Sequence, residues 1–344
     1  MQVRKLGVII EPTEHPFENK GVFNAAVIRK KEELWMIYRA VSTDNISSLG
    51  KCVLSDPSHV KYRETTPIVV PSEPNEKMGI EDPRIVYMHG IYFLTYTAYD
   101  GITAKGALMT SKDLVKYERI GILTPQMTYD DFQHNLNLCD GLNPKYHRFG
   151  RLFHHRTSPE IYLSMQLWDK DLVMFPRKIN GKYVFLHRIY PDIQLFYCEV
   201  FEELNYAYWK TYLASINNYL VLQGKYDFES SYIGAGCPPI ETESGWLIIY
   251  HGVRDSAEGY IYSAGAAMLD IDDPTIEIAR LPHPLFYPDQ EWELRGNTSN
   301  VVFPVSTYLE NDQLYIYYGA ADKAVAVAVV SLSQLISNLL STIE

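Results

Sequence analysis

Five stretches of this chain follow one plan, and that repetition restricts the fold more than any other feature. They are FNAAVIRKKEELWMIYRA (23–40), EDPRIVYMHGIYFLTYTAYD (81–100), MFPRKINGKYVFLHR (174–188), CPPIETESGWLIIYHGVRD (237–255) and VFPVSTYLENDQLYIYYGAAD (302–322). Each passes from a small or acidic turn, often with proline, into a short β-forming run, a polar turn and an aromatic-rich run. With Ala25, Pro83, Pro176, Pro239 and Pro304 as markers, the spacings are 58, 93, 63 and 65 residues. An insertion over 130–168 accounts for the long one.

Each unit then continues into a second half, as in GALMTSKDLVKYERIGILTP (106–125) and SAGAAMLDIDDPTIEIARLPHPLF (263–286). Strand-turn-strand twice over in each unit is a four-stranded sheet, and a ring of such sheets is a propeller. The last unit, AVAVAVVSLSQLI (324–336), stops before an outer strand, whereas VRKLGVIIEP (3–12) resembles the outer-strand tails YERIGILTP and EIARLPHPLF. The expectation is an all-β, single-domain, five-bladed β-propeller over 1–344, closed by the N-terminal strand so that no sheet edge is left open. A short C-terminal helix at about 331–342 and a turn or two of helix within 201–216 complete it. A β-sandwich or a pair of β-domains is the competing reading, but no Gly/Ser/Pro-rich linker supports a boundary.

Composition narrows the function. Hydrophobic residues make up 47% and charged residues 21% of the chain, which places it among globular proteins. A net charge of −11 argues against nucleic acid or an anionic membrane as the main partner, while a local basic patch could still hold phosphate. Cys52, Cys139, Cys198 and Cys237 form no CxxC pair, so neither a disulfide framework nor a zinc site is expected, and a reducing compartment fits. The N-terminal apolar run is too short for a signal peptide and nothing approaches a membrane span. The expected location is cytoplasmic, or periplasmic if a leader has been removed.

In a propeller the inner-strand ends converge on one channel, where a binding site is expected. The five units would bring there Asn24 and Arg39; Glu81, Asp82, Arg84 and Asp100; Lys170, Asp171, Arg177, His187 and Arg188; Glu229, His251, Arg254, Asp255 and Glu258; and Asn300 and Asp322. Carboxylates among arginines and tyrosines suit saccharide chemistry, since inverting glycoside cleavage needs one acid at the leaving oxygen and one nucleophile on the opposite face. Asp82 taken alone reads as a turn residue before Pro83. In the repeat it belongs to the only Glu-Asp pair, with Asn24, Phe175, Cys237 and Phe303 at or near the matching positions. His251 alone reads as a core histidine and Asp322 as a strand end. His134, His147, His154 and His155 lack the acid spacing of a metal site. Trp35 and Trp246 read as packing residues, Trp168 and Trp292 as better candidates for sugar contact.

Taken together, GIEDPRI with YFLTYTAYD, LVMFPRKINGKYVFLHR, IGAGCPPIETESGWLIIYHGV, NVVFP and YYGAAD resemble glycoside hydrolase family 130 over nearly the whole chain. The resemblance implies a five-bladed propeller acting on β-mannosides with inversion, by phosphorolysis or by hydrolysis, without metal or organic cofactor. It implies that Asp82 is the general acid, acting through a substrate hydroxyl, with Glu81 and Arg84 as its supports. Lys170 and Arg188 resemble parts of a phosphate cradle. Lys105, however, stands where phosphorylases of the family tend to carry arginine, and lysine lacks the bidentate fork. Glu229 and Glu258 are extra carboxylates, either of which could activate water. The expectation therefore leans to hydrolysis of β-1,2-linked manno-oligosaccharides, with Asp82 as acid and Glu229 or Glu258 as base. Phosphorolysis, with inorganic phosphate as co-substrate, is the alternative, and a non-catalytic sugar-binding propeller the minor one. Asn24, Arg39, Asp100, Asp171, His251 and Asp322 would contact substrate. The insertion is expected to shape the acceptor side or a homo-oligomer contact.

Overall fold

A computed structural model describes residues 1–139, 141–147, 158, 165–257 and 259–343. Strands dominate, with a few short helices, so the all-β expectation holds. After β1 (Arg4–Ile10), the chain lays down β2 (Gly21–Lys30), β3 (Glu33–Val41), β4 (Ser47–Asp56) and β5 (His59–Arg63) as one antiparallel meander. A second meander holds β6 (Gly79–Met88), β7 (Ile91–Tyr99), β8 (Ala104–Ser111) and β9 (Glu118–Ile122), touching the first through one parallel pair, Ser47 and Gly79. The third is β10 (Lys170–Met174), β11 (Tyr183–Arg188), β12 (Ile193–Cys198) and β13 (Leu220–Leu222). The fourth is β14 (Tyr232–Ala235), β16 (Gly245–Ser256), β17 (Gly259–Leu269) and β18 (Glu277–Arg280), with β15 (Ile240–Thr242) beside β16.

The last sheet takes β19 (Val302–Glu310), β20 (Gln313–Ala320) and β21 (Ala324–Ser331) from the end of the chain and β1 from its start. Arg4 stands opposite Val329 and Ile10 opposite Val325, so the N-terminal stretch does supply the missing outer strand. Each sheet's first strand packs on that of the next: β2 on β6, β6 on β10 and β10 on β14. The fourth sheet meets β19 through β16 and β17, and β19 returns to β2. Sheets stacked in this way bury both faces, which is why inner and middle strands read as unbroken apolar runs such as AVAVAVV. Trp246, fully buried, meets Phe175 edge to face at 5.0 Å, as a packing residue should.

Helices fill gaps. Tyr206–Leu213, capped by Asn205, buries Trp209, Tyr212 and Leu213 against the third sheet, and Leu332–Leu340 lays Leu335 and Leu339 on the core of the last two. Of the insertion, the helix Tyr129–Leu136 is described, whereas residues 140, 148–157 and 159–164, with His154 and His155, lie outside the described residues.

One motif recurs behind the strands. In four sheets a buried glutamate accepts from a middle-strand tyrosine and pairs with a cation of the outermost strand. Tyr38 donates to Glu18 at 2.8 Å and Arg63 of β5 lies 2.7 Å from it. Tyr96 donates to Glu76 at 2.7 Å and Arg119 of β9 lies at 2.9 Å. Tyr250 donates to Glu229, with Arg280 of β18 at 3.2 Å. Tyr318 donates to Glu293 at 2.7 Å, and here the cation is Lys5 of β1 at 2.6 Å. All four glutamates are fully buried. β1 thus contributes the same latch cation that β5, β9 and β18 contribute to their own sheets.

Candidate active site

Three inner strands carry a β-bulge at the same place, and the three bulged residues face one cavity. The register slips at Asn24 in β2, at Asp82 in β6 and at Asp171 in β10. Their φ angles are 52°, 52° and 56°, a left-handed backbone that costs a non-glycine residue about 1–3 kcal/mol and clusters at functional sites. The bulge also corrects the repeat alignment. Asp171, not Phe175, is the third unit's counterpart of Asp82, because Pro176 falls beyond the end of β10. A second set of side chains comes from the middle strands. Arg39 and Arg188 follow the middle-strand residues Tyr38 and His187, and the pleat turns them to the opposite face, toward the cavity, whereas His251, which follows Tyr250, lines no part of it.

The cavity holds about 240 Å³. At ~30 Å³ per water that is about eight waters, a size that suits one monosaccharide unit rather than a chain. Asn24, Arg39, Asp82, Lys170, Asp171, Arg188 and Asp322 line it. Tyr232, Tyr262, Thr298, Val301 and Phe303 line it as well, and these five were not foreseen.

Asp82 is gripped from two sides: Asn24 Nδ2 donates to its Oδ1 at 2.7 Å and Arg39 Nη1 at 3.2 Å. Burial alone would raise its pKa, but Arg39, Arg84, Lys170 and the Asn24 amide outweigh that and hold it below the usual carboxylate range. Glu81 binds Arg39 and lies 3.5 Å from Lys170 Nζ, tying two cations to the same corner. Asp322, at a φ of 51°, is pushed the other way: burial raises its pKa against the pull of Thr298 and Arg39.

Arg84 does not line the cavity. It is almost fully buried, with Nε donating to Gly236 O at 2.8 Å, Nη2 to Ala235 O at 3.2 Å and Nη1 to Asp82 O at 3.2 Å, and Asp171 lies 3.5 Å away. It therefore staples three sheets and fixes the strained peptide of Asp82. Across the cavity Arg188 Nε lies 3.2 Å from Asp171 Oδ2, and its guanidinium stacks 5.1 Å over Tyr232, whose hydroxyl meets that of Tyr262. His251 sits behind, fully buried, 3.4 Å from Arg188, its ring 4.4 Å from that of Phe303 and tilted to it by 32°. Burial, aided by Arg188 and Arg84, pushes its pKa down to about 3, so it is neutral.

Several expected site residues lie elsewhere, among them Arg177, paired with Glu241, and Arg254, paired with Asp227. Asp100 Oδ1 accepts from the amides of Ile102 and Thr103, both at 2.7 Å, and so closes the β7–β8 turn. Lys105 is buried with Nζ on Pro125 O, and desolvation pushes its pKa down to about 7. Glu229 also accepts from the amides of Lys225 and Tyr226, at 2.7 and 3.0 Å, which together with Tyr250 and Arg280 occupies both oxygens. Like Glu18, Glu76 and Glu293 it is held by a tyrosine and a cation, and it lines no part of the cavity. Glu258 lies outside the described residues. Trp168 donates to Ile102 O and lies 5.4 Å from Lys170 Nζ, near the cavity's rim, whereas Trp292 packs on the core.

Comparison with known proteins shows the family. The sequence profile of the family described as β-1,4-mannooligosaccharide phosphorylase matches residues 8–341. A 1,2-β-oligomannan phosphorylase of Thermoanaerobacter sp. (strain X514) is 31% identical over 338 residues, 95% of this chain and 96% of that one. A β-1,2-mannobiose phosphorylase of the same organism is 32% identical over 331 residues, 92% of each chain. The solved structure of the Listeria innocua β-1,2-mannobiose phosphorylase, in complex with β-1,2-mannobiose, has the same fold, with a TM-score of 0.71 at 24% identity over 98% of this chain and 99% of that one.

Proposed function

The chain belongs to glycoside hydrolase family 130 and is an enzyme acting on mannosides, and within that family we propose that it is an inverting β-1,2-mannoside phosphorylase. We read its five sheets as the blades of one five-bladed propeller over 1–344, supported by the cycle of sheet-to-sheet contacts and by the latch that β1 completes.

One observation carries the choice of phosphorolysis over the hydrolysis that the sequence favoured. Water needs a carboxylate base, and Glu229 is consumed in a latch that three other sheets repeat. The described carboxylates of the cavity are Asp82, Asp171 and Asp322, and Asp171 is held by Arg84 and Arg188. Phosphate needs no base, only cations, and Lys170 and Arg188 both line the cavity. Two relatives matched over nearly their whole length are phosphorylases, which supports the same reading.

In this reading the terminal mannosyl unit occupies the cavity, with Asp322, Asn24 and Arg39 on its hydroxyls. Phosphate enters beside Arg188 and Lys170 and attacks the anomeric carbon from the face opposite the leaving oxygen. The bond between the anomeric carbon and a phosphate oxygen forms as the glycosidic C–O bond breaks, and the proton of Asp82 reaches the leaving oxygen through a substrate hydroxyl. The free site keeps Asp82 ionised. Among the described residues, the charges of Arg39, Arg84, Lys170 and Arg188 balance those of Glu81, Asp82, Asp171 and Asp322. A phosphate dianion adds two negative charges to that balance, and uptake of a proton by Asp82 offsets one of them. The test is to incubate the protein with β-1,2-mannobiose with and without phosphate and identify the products. Mannose 1-phosphate formed only with phosphate supports the proposal, and free mannose as sole product without phosphate overturns it.

A further inference from the structure

The third sheet lacks the glutamate latch of its four siblings and carries a different device in its place. His187 occupies the position of Tyr38, Tyr96, Tyr250 and Tyr318, and its Nδ1 meets Asp169 Oδ2 at 2.6 Å. Its Nε2 meets the hydroxyl of Tyr212, from the helix Tyr206–Leu213, at 2.8 Å, and that hydroxyl also donates to Leu195 O at 3.0 Å. His187 and Asp169 are fully buried and Tyr212 nearly so, which gives their bonds weight.

The device lies directly behind the phosphate side. Asp169 precedes Lys170 and Asp171 in the chain, and His187 precedes Arg188. Lys170 and Arg188 are cross-strand partners, but the ladder then slips at the Asp171 bulge and resumes only at Val173. The backbone that aims Lys170, Asp171 and Arg188 is thus short of ladder bonds where aim matters. Asp169 and His187 bridge the two strands at that point, and Tyr212 anchors the bridge to the helix.

We propose that Asp169, His187 and Tyr212 are positioning residues that set the phosphate-binding geometry of Lys170, Asp171 and Arg188. The inference rests on the phosphorylase reading. It separates this trio from Tyr96, whose latch stands opposite the bulge of Asp82 and supports the acid side instead. Loss of a merely structural bond would lower stability without choosing between substrates, whereas loss of positioning raises the demand for phosphate alone.

The test uses the full-length protein and the variants Tyr212→Phe, Asp169→Asn and, as a contrast, Tyr96→Phe. Phosphate binding is measured by calorimetry, and KM is measured separately for phosphate and for β-1,2-mannobiose. Tyr212→Phe and Asp169→Asn should weaken phosphate binding and raise its KM about two- to tenfold, the factor one ordinary hydrogen bond is worth, with the mannobiose KM within twofold. Tyr96→Phe should leave the phosphate KM within twofold. An unchanged phosphate KM in Tyr212→Phe overturns the inference, as does an equal rise for both substrates in all three variants. Should Asp169→Asn fail to fold, Tyr212→Phe decides alone. If the wild-type protein binds no phosphate, the phosphorylase reading falls and takes this inference with it, whereas normal binding by wild type and variants alike sinks only the inference.

Discussion

Replacing Glu229 by glutamine separates a structural latch from a catalytic base. The substitution keeps the side chain's shape but removes its charge. Arg280, nearly fully buried, then keeps only Glu277 and the carbonyl of Gln223 as partners. Because Glu277 still compensates Arg280, the loss is that of hydrogen bonds to a charged group, about 1.5–3 kcal/mol. At about 2 °C per kcal/mol for a large domain, Tm should fall by roughly 3–6 °C. Turnover of β-1,2-mannobiose, assayed well below the new Tm, should stay within a few-fold of wild type. Glu76→Gln should show the same loss of stability, since Tyr96 and Arg119 hold Glu76 in the same way. A Glu229→Gln protein that melts like wild type but has lost turnover by orders of magnitude would refute the latch and restore Glu229 as the base.

Other substitutions probe the cavity itself. Asp82→Asn should lower kcat by about 10²–10⁴-fold, the usual worth of a general acid, with the folded state retained; full activity would remove Asp82 from the chemistry. At Gly234 an added Cβ would overlap Asp171 Oδ2 and lie 2.5 Å from His251 Nε2, so Gly234→Ala should cost about 1–3 kcal/mol and weaken phosphate use, as seen in a raised KM. His251 gives a pH dependence. Its folded pKa of about 3 lies below the ordinary 6.5, so as pH falls the unfolded chain takes up the proton first. Its contribution to stability is complete above pH 6.5 and drains at up to about 1.4 kcal/mol per pH unit down to about pH 3. Urea midpoints between pH 7 and pH 5 should therefore fall more steeply in wild type than in His251→Gln, and parallel slopes would contradict this.

Much of the architecture was legible in the sequence because repetition leaves a visible mark. The aromatic strands, the proline-bearing turns and the outer-strand likeness of residues 3–12 all depend on short-range patterning. Where the marker was conformational, the sequence misled. Asp171 is equivalent to Asp82 through a bulge and a positive φ, and neither shows in the residue letters, so the nearby Pro176 drew the alignment downstream. Glu229 misled for a related reason. A glutamate in a polar turn looks the same whether it meets solvent, substrate or a buried arginine fifty-one positions away. A signal was present nonetheless: 58 residues separate Glu18 from Glu76, as they separate Ala25 from Pro83. Tyr232 and Tyr262 were hidden among 27 tyrosines, most of which serve packing. Asp82, Arg39, Lys170 and Arg188 were found because charge at the lip of a core strand has few structural explanations.

The most direct measurement is ³¹P NMR of one reaction containing the protein, β-1,2-mannobiose and inorganic phosphate. We expect the phosphate resonance to fall as an α-mannosyl phosphate resonance grows, one for one with released mannose and with nothing consumed when phosphate is omitted. Consumption of mannobiose while the phosphate resonance holds constant would contradict the assignment.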